Sequence, residues 1–303
     1  MPTPTVSPLR GPAFKIASTL AFAVMLVSVK LLGGHVPAGE VVFFRSALAV
    51  FPVLAMVWAQ GELPSGLKTS RPGGHVIRSV VGVTAMSLWF FGVQRLPLAD
   101  ALAITYAAPL LTVALATMLL GEIVTGTRWI AVGVGFAGVL VVLSPHLGDL
   151  GRLGEGGAAT GALCCFGSAF FMALAQIQIR NLTATERTGA IVVYFSLGSA
   201  LVSLVTLPFG WVMPTPWEAF LLALCGLFGG LGQIFLTQGM RHADASVIAP
   251  LEYASMLWAV VSGLWVFDEV PTATVALGAA VIIASGVVVV WSERRGDAAT
   301  PGE

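Results

Sequence analysis

Glu252 lies inside an apolar stretch, residues 243–267, two positions after Pro250 and next to Tyr253. A carboxylate at the centre of a lipid-spanning helix costs roughly 2.5–3.5 kcal/mol on insertion scales, so such residues face a bundle interior or a wet cavity. The chemistry open to Glu252 is binding a proton or an amine, the alternative being a cap on broken helical backbone. On the stretch 76–95, Thr84, Ser87, Phe91 and Gln94 recur at spacings of three and four, one polar face on an otherwise apolar helix. The stretch 218–240 shows Gly226, Gly230, Gln233 and Thr237 on one face, with Gln238 after them. Such amides and hydroxyls can line a path for a small molecule, or only join helices at about 0.6 kcal/mol per hydrogen bond. Trp89, Tyr106, Tyr253 and Trp258 lie nearby and suit stacking on a ring-bearing ligand, with core packing as the alternative. Gln176 is a weaker cavity candidate.

These residues need membrane helices to position them. Of 303 residues, 57% are hydrophobic and 10% charged, against about 25% charged in soluble domains; mean hydropathy is +0.91. Backbone groups in lipid must be satisfied within the segment, and the apolar runs do not alternate as barrel strands would. The expected fold is therefore all-α and integral to the membrane, with ten transmembrane helices near 14–33, 40–58, 76–95, 98–120, 128–146, 158–180, 189–210, 218–240, 243–267 and 273–292. With a cytoplasmic N-terminus, the inner ends collect eleven of the 15 Lys and Arg residues, and only Lys30, Arg45, Arg95 and Arg152 lie at outer ends. The positive-inside rule then places both termini in the cytoplasm of a bacterial-type inner membrane.

Zero net charge argues against a nucleic-acid surface. Cys164, Cys165 and Cys225 lie inside apolar spans, and no histidine pairs with another at metal-ligand spacing, so no metal or cofactor is expected. Without a nucleophile beside a base, zinc spacing or a phosphate-cradling loop, an enzyme is not expected either.

The chain is internally duplicated. Phe91-x2-Gln94-x4-Ala99-Asp100-Ala101 recurs at Phe235-x2-Gln238-x4-Ala243-Asp244-Ala245, and Tyr106-Ala107-x2-Leu110-x11-Glu122 recurs at Tyr253-Ala254-x2-Leu257-x11-Glu269. Residues 1–150 and 151–303 are thus two repeats of five spans, and an odd number makes the second copy enter the membrane in the opposite sense. Inverted halves place a site at mid-depth and support alternating access. The second copy holds three extra residues between Asp244 and Tyr253, which together with Pro250 should bend or unwind span nine.

Other groups have plainer readings. Lys30 and Arg45 are near the outer surface and should snorkel to water, recognition of a substrate carboxylate being the second reading. Asp100, Glu122, Asp244 and Glu269 sit at span ends, where solvation or capping is expected. Gly157, Gly161, Cys165, Ala169 and Ala173 form a small-residue ladder for close helix packing. Ala276, Ala280 and Ala284 could serve internal packing or a homodimer.

Two five-span halves, each with a helix ending in an acidic pair or "GE" (Gly121-Glu122, Asp268-Glu269) before a Gly-rich helix, resemble the EamA-type carriers of the drug/metabolite transporter superfamily over nearly the whole chain. Within that family the chain is similar to bacterial inner-membrane exporters of amino acids, aromatic ones above all. The resemblance implies a basket of helices around a central cavity lined by spans one, three, four, six, eight and nine, with spans five and ten peripheral. It implies a small-molecule substrate and amino-acid export. The family's Glu-Pro pair in span nine is replaced here by Ala249-Pro250-Leu251-Glu252-Tyr253, which is also similar to vitamin uptake carriers such as those for riboflavin. Uptake of a vitamin or nucleoside-like metabolite therefore stands beside export, and a non-transporting scaffold is the distant third reading.

Overall fold

The computed structural model describes residues 10–61, 63, 67–120, 126–147, 157–183, 185–242 and 249–298, and every regular element among them is helical. The first half comprises α1 (Arg10–Leu31), α2 (Ala38–Ala59), α3 (Pro72–Val93), α4 (Leu98–Thr105), α5 (Ala107–Leu120) and α6 (Gly126–Leu147). The second comprises α7 (Ala158–Thr183), α8 (Thr188–Ser203) extended by a 3-10 turn at Leu204–Phe209, α9 (Pro216–His242), a 3-10 turn at Ala249–Tyr253, α10 (Ala254–Val266) and α11 (Ala273–Ala298). Among the described residues, seven stretches have the length and apolarity of a membrane span, α4 and α5 together making one of them. Trp129–Pro145, Leu251–Val266 and Ala273–Val288 are shorter apolar helices at the three remaining expected positions.

Local chemistry sets the breaks. Gly33 and Gly34 take φ of +62° and +80° after α1, a left-handed conformation that glycine adopts without a Cβ clash. Span nine is unwound where expected, into the 3-10 turn that contains Pro250. Span four is also broken, at Tyr106, which the repeat comparison did not anticipate. Pro109 explains it: proline lacks the N–H that would bond the carbonyl four residues back, and its ring crowds that carbonyl, on Thr105.

The packing of the two halves repeats itself. α1 lies along α9, and its counterpart α7 lies along α3; α2 packs on α8 and α6 on α11. Exchanging the halves leaves this set of partners unchanged, the pattern of a pseudo-twofold axis. Tyr106 and Tyr253, one residue in two copies, meet edge to face with centroids 5.2 Å apart.

Small residues set how closely the helices approach. The α7 ladder packs as read: Cys165, Ala169 and Ala173 are fully buried, and a Cβ on Gly92 of α3 would overlap the Cys165 sulfur. Gly138 and Gly278 play the same part between α6 and α11, a Cβ on either falling about 3 Å from the other's carbonyl oxygen. Ala276, Ala280 and Ala284 are exposed, so the internal contacts of α11 use Val275, Gly278, Ala279 and Ile282 instead. Glu122 and Asp244 lie outside the described residues.

Candidate functional site

Four side chains of α1, Lys15, Ser18, Thr19 and Lys30, bond to the second half where α1 runs beside α9 and α10. Near the start of α1, Lys15 is 3% exposed and its Nζ pairs with the Glu252 carboxylate, which is 46% exposed. Near its end, Lys30 pairs with Glu269. Fifteen residues separate the two lysines, about 22 Å of α-helix. The pairs therefore close opposite ends of one seam.

Between them lies a cavity of about 30 Å3 lined by Thr19, Phe22 and Leu26 of α1, Trp89 of α3, Leu102 of α4, and Ser255 and Ser262 of α10. That volume holds one or two waters. Trp258 donates its indole N–H to Thr19 Oγ1 at 3.1 Å. Ser255 donates to the Glu252 carbonyl, which the 3-10 turn leaves without a helical partner. The Ser255 proton being committed there, Tyr106 is the donor in its 2.7 Å contact with Ser255 Oγ. Tyr106, Ser255 and Glu252 are thus tied into one hydrogen-bonded chain across both broken spans, and Tyr253 joins it by its ring contact with Tyr106.

The Lys30 end is built differently. Asp268 takes φ of +53° after α10 and turns the chain back, while the Glu269 amide donates to the Gly263 carbonyl at 2.9 Å. Glu269 then accepts from Lys30 through one oxygen and from the Leu98 amide, at the start of α4, through the other at 3.1 Å. A carboxylate is favourable at that helix N-terminus. Lys30 also donates to the Leu96 carbonyl at 2.7 Å and lies 4.9 Å from the Phe267 ring centroid. Lys30 therefore does not snorkel, and Glu269 caps a helix of the other half. Asp100, expected to be solvated or capping, is 6% exposed in the first turn of α4 and so is not solvated.

Of the residues singled out from the sequence, Trp89 lines the cavity and Glu252, Tyr253, Tyr106 and Trp258 surround it. The two glutamine stripes do not converge there. Gln94 caps the end of α3 and donates to the Val36 carbonyl at 3.4 Å. Phe91 lies beneath the Arg95 guanidinium, 3.4 Å from its carbon. Gln238 lines a separate open cleft with Arg10, Phe14, Met56, Ile234 and Phe235. Ser87 and Gln233 are half-buried on α3 and α9 without lining the cavity, and Gln176 is exposed on α7. Lys15 is the residue sequence reasoning missed, because as one more basic group near an inner helix end it carried no signal of its own.

Arg45 departs from expectation too. It is 2% exposed rather than snorkelling, because it points among α1, α8 and α9, where a Cβ on Gly229 would sit 3.0 Å from its Nε. Arg78, counted among the inner-end charges, is 6% exposed and stacks on Phe195 of α8 at 3.8 Å. A guanidinium at this depth costs roughly 2.5–3.5 kcal/mol. One ring returns about 0.5–2 kcal/mol, so Phe195 offsets only part of the cost of either arginine.

Away from the bundle interior, Glu186 in the α7–α8 connection accepts from the Ser70 and Arg71 amides and the Ser70 hydroxyl, at 2.9 to 3.1 Å. Burial pushes its carboxyl up, but these donors outweigh that and hold it below the usual carboxylate range.

The model of the EamA-like transporter family matches residues 9–144 and again 159–291. The chain is 28% identical over 287 residues to an S-adenosylmethionine uptake transporter of Rickettsia prowazekii, covering 95% of this chain and 94% of that one. It is 30% identical to the pseudopaline exporter CntI of Pseudomonas aeruginosa over 281 residues, 90% of this chain and 94% of the other. A transporter of Helicobacter pylori is 30% identical over 291 residues, 93% of this chain and 94% of that one. A crystal structure with a TM-score of 0.65 and 23% identity covers 93% of this chain and 98% of its own, a likeness of fold. With the family model matching both halves and the helical bundle on the page, the chain belongs to the EamA-like transporters of the drug/metabolite superfamily, as a multi-pass membrane protein.

Proposed function

We propose that this transporter carries amino acids and their ring-bearing derivatives across the inner membrane by alternating access. The halves, 1–150 and 151–303, would insert in opposite senses with both termini cytoplasmic, so that the Lys15 end faces the cytoplasm. The observation that carries the reading is the pair of ion pairs from α1, Lys15–Glu252 and Lys30–Glu269, at the two ends of one cavity. Opening one pair while keeping the other exposes the cavity to one side only, the requirement for alternating exposure.

The lining supports the substrate class. Trp89, with Trp258 and the two tyrosines around it, offers faces for a ring. Lys15 and Glu252, released from each other, offer a cation and an anion to a zwitterion. S-adenosylmethionine, the substrate named for one relative, combines an amino acid with a purine. The relatives include an uptake transporter and an exporter; export is the direction we propose.

Flux of labelled phenylalanine, tryptophan, S-adenosylmethionine and riboflavin in liposomes containing only this protein tests the reading. Saturable movement of the amino-acid-type compounds is expected. Riboflavin flux alone would select the vitamin alternative, and no flux across the panel would refute the proposal.

A further inference from the structure

Arg45 on α2 and Arg78 on α3 are buried cations that take no part in lining the cavity. Their guanidinium carbons lie 5.9 Å and 3.8 Å from the centroid of the same ring, Phe195 of α8. Nε and Nη1 of Arg45 and Nε of Arg78 have no acceptor among the described residues, and no carboxylate among those residues pairs with either arginine. Ser199, one turn beyond Phe195 on the same face of α8, is fully buried, and its hydroxyl is unpartnered as well.

Interiors do not leave three polar side chains unsatisfied beside one ring without a reason. Arginine cannot shed its proton to become neutral. The site offers donors in excess: two planar forks and a hydroxyl. The room for the forks is made by glycine. A Cβ on Gly82 would overlap Arg78 Nη1, and one on Gly229 would crowd Arg45 Nε. The missing complement is negative, small and rich in acceptors, and the planar fork matches a carboxylate or phosphate through two parallel bonds.

We infer that Arg45 and Arg78, with Ser199 beside them, form a buried site for a small oxyanion, a carboxylate or inorganic phosphate, between α2, α3 and α8. The oxyanion is either a free anion held in the bundle or the carboxylate of a transported substrate, and the second source rests on the transport proposal above.

The test reads binding, not flux, so it stands or falls apart from that proposal. The unfolding midpoint of the purified full-length protein in detergent is followed by tryptophan fluorescence at constant ionic strength. Sodium acetate or sodium phosphate replaces the salt of a bulky sulfonate. A saturable rise of about 5 °C at a hundred times the dissociation constant is expected for at least one of them; a flat response to both overturns the site. R45Q and R78Q should each abolish the response, and a wild-type response in both overturns it. R45K and R78K keep the charge but lose the fork. They should raise the half-saturating concentration at least tenfold, and an unchanged value counts against the site even where the glutamine variants fail to fold. Phenylalanine, but not phenethylamine, should suppress the anion response where a substrate carboxylate is the occupant. A free anion adds its stabilisation to that of phenylalanine.

Discussion

At the Lys15 end of the seam between α1 and α10, one ion pair joins a buried lysine to a half-exposed glutamate. At the Lys30 end both partners are largely buried and each holds a second bond, Lys30 to the Leu96 carbonyl and Glu269 to the Leu98 amide. The first closure breaks in a single step. The second yields only when several bonds go together, because the loss of one partner leaves the other still engaged. The inequality sets which end yields more readily. The Lys15 end should therefore open first.

The largest effect is expected from E252Q. It strands a lysine that is 3% exposed, at a cost of roughly 3 kcal/mol for an uncompensated buried charge. Transport should be abolished or uncoupled in protein that still folds; wild-type flux with unchanged pH dependence would remove Glu252 from the mechanism. E269Q should cost less, about 2 kcal/mol, because Lys30 keeps the Leu96 carbonyl. Its signature is faster thiol labelling of a Leu26→Cys probe in a cysteine-free background, and an unaltered rate would deny the Lys30 end a closing role. K15M leaves Glu252 open to water and should cost only about 1 kcal/mol. Were K15M as damaging as E252Q in the same unfolding assay, the contrast between buried and exposed partners would be mistaken.

Glu186 provides a comparison outside the seam. Its carboxyl is held below the ordinary range, so its stabilisation is complete above the unfolded value near 4.5 and is lost as pH falls through the lower folded value. E186Q should lower the unfolding midpoint at pH 7, by roughly 1 kcal/mol, and converge with wild type in acid; a constant difference at every pH would contradict this. Smallest is Q94L, which removes a bond of 3.4 Å to the Val36 carbonyl, worth about 0.5 kcal/mol. Its effect should appear in stability and not in substrate affinity, and a loss of affinity would return Gln94 to the path.

Much of the scaffold was legible without coordinates. The spans around α1 to α3 and α7 to α9 were expected within a few residues, because twenty apolar residues are a local and additive signal. The unwinding at Pro250 was also visible, as a chemical break coinciding with three extra residues. The break at Tyr106 was not expected, although Pro109 signalled it, because membrane helices tolerate a proline without unwinding. Reading Gln94 and Gln238 as one site failed for a geometric reason: they are matching positions of the two repeats, and the halves carry them to different places, a carbonyl on the α1–α2 connection for one and an open cleft for the other.

Composition, hydropathy and the offset between the two copies determined by themselves that the chain is a duplicated membrane bundle, since lipid imposes helices on any apolar run and a repeat is read by counting. Only the tertiary structure decided which charges meet. Lys15 finds Glu252 across 237 positions and Lys30 finds Glu269 across 239, while Arg45 and Arg78 meet the Phe195 ring and, among the described residues, no carboxylate. The strength of an ion pair depends on distance and on exclusion of water, and neither exists until the helices have packed.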